Sequence, residues 1–369
     1  MKMLMLATTA AMIEQFNKDN ILILEKMGYE VHVAGNFLEG NPISEERLEQ
    51  FKTWLSEHHG KWFNLTSTRR PFDFSGNGKA LRKVIELINE HHYDFIHCHT
   101  PLGSVIGRIA AHRTHTRIIY TAHGFHFYKG APLKNWLLYY PVERFLSRWT
   151  DVLITINKED YERASSKFHA KKTIYVPGIG VDTAKFAPGQ TEEIRLQKRS
   201  EIGVPSDAIM MISVGELIPR KNHIAAVKAL QELPESYWYV IVGKGELGKE
   251  FLELDKTGRL IVLGYRTDVR ELLWSSDLFV FPSFQEGLPV ALMEAMASGL
   301  PCVASRIRGN VDLISDEDKL FDPDDVQRLV QLIKNTVPGK CHYDILSGID
   351  IEVIRAEMKS LYEKMRVGG

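Results

Sequence analysis

Two glutamates, Glu286 and Glu294, lie near the start of a predicted helix and could bind a phosphorylated ligand between them. A strand ends near Pro282, a turn follows, and Pro289 falls in the first helical turn, where proline is favoured. Free backbone N–H groups at a helix N-terminus favour an anion such as a diphosphate. One carboxylate could then bind sugar hydroxyls and the other a ribose. By spacing alone, a capping acid and a helix-surface acid explain the pair equally well.

Two adjacent cations, Arg220 and Lys221, lie where a predicted strand gives way to a helix that begins near Asn222. Cations at such a turn suit a pyrophosphate leaving group, because they neutralise the charge that develops as the glycosidic bond breaks. Taken by themselves, two basic residues are more simply a solvated loop pair.

Histidines mark the carboxyl ends of predicted strands in the first half of the chain. His123 follows such a strand and precedes a glycine, so it is placed to reach a ligand, although a lone histidine is more often a satisfied core or loop residue. His126 is a weaker candidate, for the acceptor. His97 and His99 could share one face of their strand, but no second group with metal-ligand spacing accompanies them, so they are interpreted as strand-end residues.

Strand ends in the second half supply candidates for nucleobase recognition. Gly243 follows one predicted strand, and Tyr265 and Arg266 follow another, where their backbone groups could read the edge of a base. The glycines at these places are explained equally well as plain turns.

Short apolar runs alternate with amphipathic stretches along the chain. The runs are continuous rather than alternating, which is typical of parallel strands covered on both faces by helices. In the first half, the predicted strands are Met3–Ala7, Val31–Ala34, Phe95–His97, Ile118–Thr121 and Val152–Ile156, and the predicted helices are Gln15–Met27, Leu81–His91, Leu102–His112 and Trp136–Ser147. In the second, the strands are Ile209–Val214, Trp238–Val242, Leu260–Leu263, Leu278–Pro282 and Cys302–Ala304, and the helices are Asn222–Leu233, Val269–Ser275 and Pro289–Ser298.

The restart of this pattern predicts an α/β chain of two Rossmann-like, doubly wound domains, residues 1–182 and 183–352. The join is the stretch 181–206, in which Pro188–Glu193 is polar and turn-rich as a linker should be. A C-terminal helix within 353–369 is expected to pack back on the first domain. Two such domains facing each other form a cleft at the carboxyl ends of both sheets, where ligands bind in these folds.

The bulk composition excludes several classes of protein. A net charge of −1 gives no nucleic-acid signal, and three scattered cysteines without a CxxC pair argue against a disulfide framework or a zinc site. No apolar run approaches the roughly 18 residues that a membrane-spanning helix needs, so a cytoplasmic protein is expected. The aromatic and basic segment Lys134–Trp149 could still lie against the anionic inner face of the cell membrane. A helix that merely covers the first sheet explains this segment at least as well.

Several strings resemble the retaining GT-B glycosyltransferases of family 4, in the branch that builds bacterial capsular polysaccharides and exopolysaccharides. The segment Ser283–Glu294 resembles the E-x7-E motif of that family, and the likeness extends almost end to end. It includes the strings Thr121–Gly130, Val176–Asp182 and Ser213–Asn222. Together these strings are highly specific for the family and weakly specific for the substrate.

The resemblance implies a role for each matching position. Glu286 and His123 would contact the transferred sugar, Glu294 would hold the ribose, and Arg220 with Lys221 would bind the phosphates. The backbone of Gly287, Leu288 and Val290 would face the sugar and phosphates, and Gly215 and Glu216 would line the same site. Many family members have arginine where this chain has Glu216, so Arg220 and Lys221 must carry more of the phosphate binding. Two roles stay open for Glu216 itself, which are to face the acceptor and to be purely structural.

The implied reaction moves a hexosyl or N-acetylhexosaminyl group from a nucleoside diphosphate, expected to be UDP, to a hydroxyl of a glycan or polyprenyl-linked acceptor. The resemblance also implies a same-face reaction, in which the leaving phosphate helps to deprotonate the acceptor, and no enzyme nucleophile is placed for a covalent intermediate. No cofactor and no metal are expected, because this fold uses cations and helix dipoles in place of magnesium. Two alternatives remain: a GT-B sugar-nucleotide epimerase, and a non-catalytic sugar-nucleotide-binding partner of a transferase.

Overall fold

The computed structural model describes residues 1–38, 41, 43–66, 73–189 and 191–367, and the chain falls into two compact units. Unit 1 comprises Met1–Ile179 and Ile354–Gly369, and unit 2 comprises Gly180–Val353. Both units contain a parallel sheet with helices between successive strands, so the predicted α/β class with two Rossmann-like domains is confirmed. The observed unit limits lie close to the predicted limits at residues 182 and 353.

Unit 1 is built on a seven-stranded parallel sheet with the strand order β3-β2-β1-β4-β5-β6-β7. Its strands are β1 Lys2–Thr9, β2 Glu30–Asn36, β3 Lys61–Asn64, β4 Phe95–His99, β5 Arg117–Ala122, β6 Val152–Thr155 and β7 Lys172–Tyr175. Its helices are α1 Ala10–Phe16, α2 Lys18–Lys26, α3 Glu45–Glu57, α4 Phe74–His91, α5 Pro101–Thr114, α6 Leu133–Leu146 and α7 Lys158–Lys167, and a 3₁₀ turn spans Ser147–Trp149.

Unit 2 is built on a six-stranded parallel sheet with the order β10-β9-β8-β11-β12-β13. Its strands are β8 Ile209–Val214, β9 Tyr237–Val242, β10 Leu260–Gly264, β11 Leu278–Phe281, β12 Cys302–Ser305 and β13 Leu320–Phe321. Its helices are α8 Thr183–Phe186, α9 Glu192–Ile202, α10 His223–Leu230, α11 Gly248–Leu254, α12 Val269–Trp274, α13 Val290–Ala297, α14 Asn310–Leu313, α15 Val326–Asn335 and α16 Leu346–Ile349. Short 3₁₀ turns span Pro219–Lys221 and Glu317–Lys319, and α17 Ile351–Val367 closes the chain.

The first strand shows why a continuous apolar run becomes a central strand. Met3 and Met5 face one hydrophobic cluster, whereas Leu4 and Leu6 face the cluster on the other side of the sheet. Successive side chains of a strand point to opposite faces, so a strand buried on both faces must be apolar at every position.

The C-terminal helix α17 supplies part of the core of unit 1. Its apolar side chains recur at helical spacing and join the cluster that covers one face of the sheet. These side chains are Ile354, Met358, Leu361, Tyr362 and Met365. Each contributes about 1.5–3 kcal/mol by leaving water, so the end of the chain is a structural part of the first unit.

The predicted helix Gln15–Met27 is in fact two helices, α1 and α2, broken at Asn17. This residue lies outside the helical region (φ −131°, ψ 5°), and its side-chain amide accepts a hydrogen bond from Asn20. Asparagine competes well for local hydrogen bonds, which explains the break. Helix α1 begins directly after β1, so the apolar sequence gave no sign of a boundary.

Most of the stretch 181–206, which was predicted as the join between the domains, is helical and belongs to unit 2. Thr191 caps α9 by accepting a hydrogen bond from the backbone of Ile194. Arg199 of α9 is fully buried, pairs with Asp277 at 2.5 Å and donates to the carbonyls of Ser275 and Ala208. These bonds fix α9 to the sheet of the second unit.

Within the described ranges, no helix has both the length and the apolarity that crossing a membrane requires.

Candidate active site

The loops that follow β8 and β11 meet in unit 2, because these two parallel strands are neighbours and end at the same edge of the sheet. The loop after β8 forms the 3₁₀ turn Pro219–Lys221, and the loop after β11 carries Glu286. A backbone hydrogen bond of 2.9 Å from Phe284 N–H to the carbonyl of Arg220 joins the two loops. Residues that are distant in the sequence are thereby brought to one place.

The two predicted phosphate cations contact the predicted sugar-binding carboxylate. Lys221 Nζ lies 2.7 Å from Glu286 Oε1, and Arg220 Nη1 lies 3.4 Å from the same oxygen. Arg220 also donates to the carbonyl of Gln285 at 2.9 Å. Glu286 is buried, whereas Arg220 keeps 40% of its side chain exposed. Two cations share this carboxylate, and Arg220 also lies 3.8 Å from the exposed carboxylate of Glu216, so Arg220 is the cation of the pair that stays more open to solvent.

Asn222 fixes this geometry, and the sequence interpretation did not identify it as a site residue. Its backbone is left-handed (φ 51°), and its side-chain amide donates to the carbonyls of Pro282 and Pro323 at 3.1 and 2.9 Å. Asparagine tolerates this conformation better than most residues. The bond to Pro282 connects the cationic turn to the end of β11.

Helix α13 begins at Val290, with Pro289 as its N-cap rather than in its first turn as predicted. Proline has no side-chain acceptor, so it leaves the first N–H groups of the helix uncapped by its own side chain. Gly287 and Val290 are partly exposed and Leu288 is buried. The first turn of α13, which follows the Glu286 loop, therefore has N–H groups that are chemically suited to an anion.

Glu294 lies in the second turn of α13 and differs in its electrostatics from Glu286. It is half-buried, and burial raises the pKa of its carboxyl to about 7, a shift that Lys185 of α8 partly opposes. A carboxyl that titrates near neutrality can both donate and accept, which suits the paired hydroxyls of a ribose.

Two glycines of this region, Gly243 and Gly309, permit close backbone approach. A side chain on Gly243 would collide with the carbonyl of Gly215, and one on Gly309 would collide with the carbonyl of Gly287. Gly215 itself faces the aliphatic part of Lys221. Gly243 is therefore required for packing two strand-end loops together, whatever it does for a nucleobase.

The loop after β12 supports the Glu286 loop from behind and was missed by the sequence interpretation. Arg308 is buried and donates its Nε–H to the carbonyl of Glu286 at 3.2 Å. The close contact of Gly309 with Gly287 lies beside this bond. An Arg-Gly pair after a strand is common in loops, so no local signal distinguished these residues.

The remaining predicted contacts of unit 2 are more exposed. Tyr265 is 59% exposed with Lys244 Nζ 5.6 Å from its ring centre. The guanidinium of Arg266 is held by Asp268 and Glu201, each at 2.6 Å, so only its backbone is open to the role predicted for it. Glu216 is exposed, with its carboxylate 3.8 Å from Arg220.

In unit 1, His123 follows β5 and is held by a second histidine. His123 Nε2 lies 3.1 Å from Nδ1 of His99, the last residue of β4. Burial lowers the pKa of His123 to about 4, so its imidazole is neutral near pH 7. His126 packs with its ring 4.6 Å from that of Tyr139 in α6, so it lies against that helix.

A cavity of about 160 Å³ opens beside these histidines within unit 1. It lies where β4, β5, β6 and β7 end, the edge at which parallel α/β sheets bind ligands. Its lining includes the polar side chains of Asn17, Asn20, Thr121, His99, His123 and Arg355. Within the described part of the chain, no group of three or more His, Cys, Asp or Glu side chains is arranged to hold a metal ion.

Comparison with known families covers both units. Residues 21–185 match the family model described as "Glycosyltransferase Family 4", and residues 195–340 match "Glycosyl transferases group 1". The putative glycosyltransferase EpsD of Bacillus subtilis is 37% identical over 332 residues, which cover 87% of this chain and 82% of EpsD.

Two further similarities extend the comparison. The UDP-Gal:α-D-GlcNAc-diphosphoundecaprenol α-1,3-galactosyltransferase of Escherichia coli is 30% identical over 313 residues, covering 78% of this chain and 80% of the enzyme. The crystal structure of Anabaena HepE in complex with UDP-glucose superimposes with a TM-score of 0.75 at 20% identity, covering 99% of this chain and all of HepE.

Proposed function

This chain is a glycosyltransferase of family 4 with the GT-B fold, and we propose that it moves a sugar from a UDP-sugar to a hydroxyl of a lipid-linked glycan with retention of configuration. The proposed context is bacterial surface polysaccharide synthesis, as the resemblance to the capsule and exopolysaccharide branch implies. The observation that carries the proposal is the cluster of Arg220 and Lys221 on Glu286, beside the uncapped first turn of α13.

The donor diphosphate would bind at the positive part of this cluster. Arg220 and Lys221 supply two fixed positive charges beside Glu286, and the N-terminus of α13 adds a favourable partial charge. As the bond between sugar and phosphate breaks, negative charge grows on the leaving diphosphate. Fixed cations at that place stabilise it more than they stabilise the bound donor, which is what accelerates the reaction.

The sugar and the ribose would be held by the two carboxylates. Glu286 accepts hydrogen bonds from sugar hydroxyls, with the backbone of Gly287, Leu288 and Val290 beside it. Glu294 binds the ribose, and Gly215 and Glu216 line the same site. The backbone at Gly243, Tyr265 and Arg266 reads the base.

The UDP donor and the lipid-linked acceptor are supported by the names of similar proteins. The E. coli relative is named for UDP-Gal as donor and for a sugar on diphosphoundecaprenol as acceptor. HepE binds UDP-glucose in the solved structure. We infer a hexosyl or N-acetylhexosaminyl donor and a polyprenyl-linked acceptor for this chain, with no cofactor and no metal.

The anomeric configuration would be retained by a same-face reaction. His123 contacts the transferred sugar and, being neutral, can donate a hydrogen bond from one nitrogen while it accepts at the other. The leaving phosphate takes the proton of the acceptor hydroxyl. His126 would lie on the acceptor side.

Helix α6 supports a peripheral contact with the inner face of the membrane. Its exposed apolar side chains are Leu133, Leu137, Leu138, Val142 and Phe145, and both leucines at positions 133 and 137 are 72% exposed. The exposed basic residues Lys134, Arg144 and Arg148 lie on or next to the same helix. Apolar side chains flanked by cations fit an anionic lipid surface.

The membrane contact is tested by flotation with vesicles of anionic lipid. Replacing Leu133 and Leu137 by Glu is expected to abolish flotation, whereas Val337→Glu, at an 80% exposed apolar position of unit 2, is expected to leave it unchanged. Equal flotation of all three proteins would refute the contact.

The transferase activity is tested by incubating the protein with a panel of UDP-sugars, with and without membrane extract, and measuring UDP release. We expect acceptor-dependent release and a product of retained anomeric configuration. In Glu286→Ala, we expect the rate of release to fall by at least about 100-fold. Glu235→Ala, an exposed acid of unit 2, is the matched control.

Four outcomes would contradict this assignment. Wild-type release by Glu286→Ala would exclude the site, and an inverted product would exclude retention. A rearranged sugar nucleotide formed without acceptor would identify an epimerase. A melting temperature raised by UDP-sugars without any turnover would identify a non-catalytic binding protein.

A further inference from the structure

Three histidines lie side by side at the ends of β4 and β5, and only one of them has a nitrogen buried without a partner. His97 is satisfied at both nitrogens, by the hydroxyls of Tyr362 at 2.9 Å and Thr121 at 2.8 Å. His99 shares a hydrogen bond with His123, but its Nε2 is buried and has no hydrogen-bond partner among the described residues. The side chain of His99 is 1% exposed and lines the cavity of about 160 Å³.

The cluster is neutral at physiological pH. Burial lowers the pKa of His97 to about 3 and that of His123 to about 4, and it holds the pKa of His99 well below its ordinary value. A proton on one ring would also repel a proton on the next. The bond between His99 and His123 therefore joins two neutral imidazoles, one of which must donate while the other accepts.

We propose that His99 is a positioning residue, which donates its Nδ1–H to Nε2 of His123, fixes the ring of His123 and leaves Nδ1–H of His123 to donate to the transferred sugar. The inference rests on the sugar-binding role of His123 proposed above. An imidazole N–H is a hydrogen-bond donor, and the oxygen of a sugar hydroxyl can accept from it.

The opposite tautomers fit the structure less well. If His123 donated its Nε2–H to His99, the proton of His99 would have to be on Nε2, where no acceptor lies among the described residues. Buried N–H groups without an acceptor are rarer than acceptors with unused lone pairs. A lone pair on Nε2 beside the cavity can accept from a water or from a ligand hydroxyl.

Substitutions at position 99 can distinguish the roles of the two ring nitrogens of His99. Asparagine places its amide near the position of Nδ1 and can keep the bond to His123, whereas glutamine reaches towards Nε2, and leucine keeps the bulk without a bond. Tyr362→Phe is the matched control, since it removes a buried hydrogen bond of the same network, the bond to His97, without touching His123. All variants are compared as folded protein, after measurement of their melting temperatures.

The measurements are transfer kinetics and ¹⁵N NMR of histidine-labelled protein. We expect His99→Leu and His99→Gln to lower kcat about tenfold to a hundredfold, with the donor KM within about threefold, since the diphosphate cluster lies in unit 2. His99→Asn should retain most of the rate, and Tyr362→Phe should lower the melting temperature but leave kcat unchanged. In the wild type, Nδ1 of His123 should be the protonated nitrogen.

Three results would each overturn the inference, and the first two are wild-type kcat in folded His99→Leu and a His123 protonated on Nε2. Failure of His99→Asn to exceed His99→Leu in rate would overturn it as well. The NMR assignment needs no turnover, so a protein that lacked transferase activity would refute the proposed function while the tautomer of His123 was still measured independently.

Discussion

The strand ends of the two units present opposite electrostatics. In unit 2, Arg220, Lys221 and Glu286 form a charged cluster, and one of its cations stays open to solvent. In unit 1, His97, His99 and His123 form a neutral cluster whose burial suppresses protonation. A diphosphate needs permanent positive charge, whereas sugar hydroxyls need donors and acceptors without charge. The same fold, used twice, thus offers two chemically different surfaces.

The largest expected effect is on catalysis, from removing a cation of the charged cluster. Lys221→Met should lower kcat by about 100- to 1,000-fold, because a fixed charge on the leaving diphosphate is lost. Lys228→Met, at an exposed position of α10, is the control and should keep the wild-type rate. Steady-state measurement of UDP release checks both variants. A Lys221→Met enzyme with unchanged kcat and a raised KM would show that Lys221 binds the donor without favouring its reaction.

The next effect is a loss of stability at low pH, which is expected for the histidine cluster of unit 1. A histidine whose folded pKa is lowered contributes stability that is fully present above its unfolded pKa, about 6.5, and is lost as the pH falls towards the folded value. His97 and His123, with folded values of about 3 and 4, should each remove about 2 kcal/mol of unfolding free energy from unit 1 between pH 7 and 5. Urea unfolding at both pH values checks this, and His97→Asn should flatten the dependence. The same loss in His97→Asn as in the wild type would show that other groups cause it.

The sequence predicts the sheet better than it predicts the helices that follow it. Continuous apolar runs such as Met3–Ala7 can only be buried strands or buried helices, and their short length decides for strands. The break at Asn17 and the helix α9 were missed for different reasons. The break is a local change of backbone at Asn17 inside a stretch that was predicted as one helix. Helix α9 is charged along most of its length and is fixed by Arg199 on Asp277, which is distant in the sequence.

The site shows the same division. Glu286, Arg220 and Lys221 were predictable because they are charged residues that follow predicted strands, where ligands bind in such folds. Asn222 and Arg308 support that chemistry by bonding to backbone carbonyls of other loops, and such contacts depend on the folded topology rather than on local spacing. His99 was interpreted as a strand-end residue, which is correct for its position but does not reveal its bond to His123.

At Glu294 we expect a smaller effect on stability, with the opposite dependence on pH from that of the histidines. Its folded pKa of about 7 lies above the ordinary value of a glutamate, so the folded state binds the proton more tightly and stability is lost as the pH rises from about 4.5 to 7. After allowance for its partial exposure, the loss is about 1–2 kcal/mol. Glu294→Gln should therefore gain stability relative to the wild type at pH 8 but not at pH 4.5, in thermal or urea unfolding. A gain that was equal at both pH values would assign the effect to packing.

The smallest effect tests the backbone that holds the charged cluster together. Asn222 contributes both a side-chain amide and a left-handed backbone, and these contributions separate in two variants. Both Asn222→Gly and Asn222→Ala lose the amide bonds, but glycine has no Cβ, whereas alanine keeps a Cβ in a left-handed conformation that costs about 1 kcal/mol for most residues. Alanine should therefore be less stable than glycine by about that amount in urea unfolding, and both should lower kcat because Arg220 and Lys221 lose their connection to the end of β11. Equal stability of the two variants would mean that the turn can rearrange. The geometry of the cluster would then be set by the ion pairs with Glu286 rather than by the backbone of the turn.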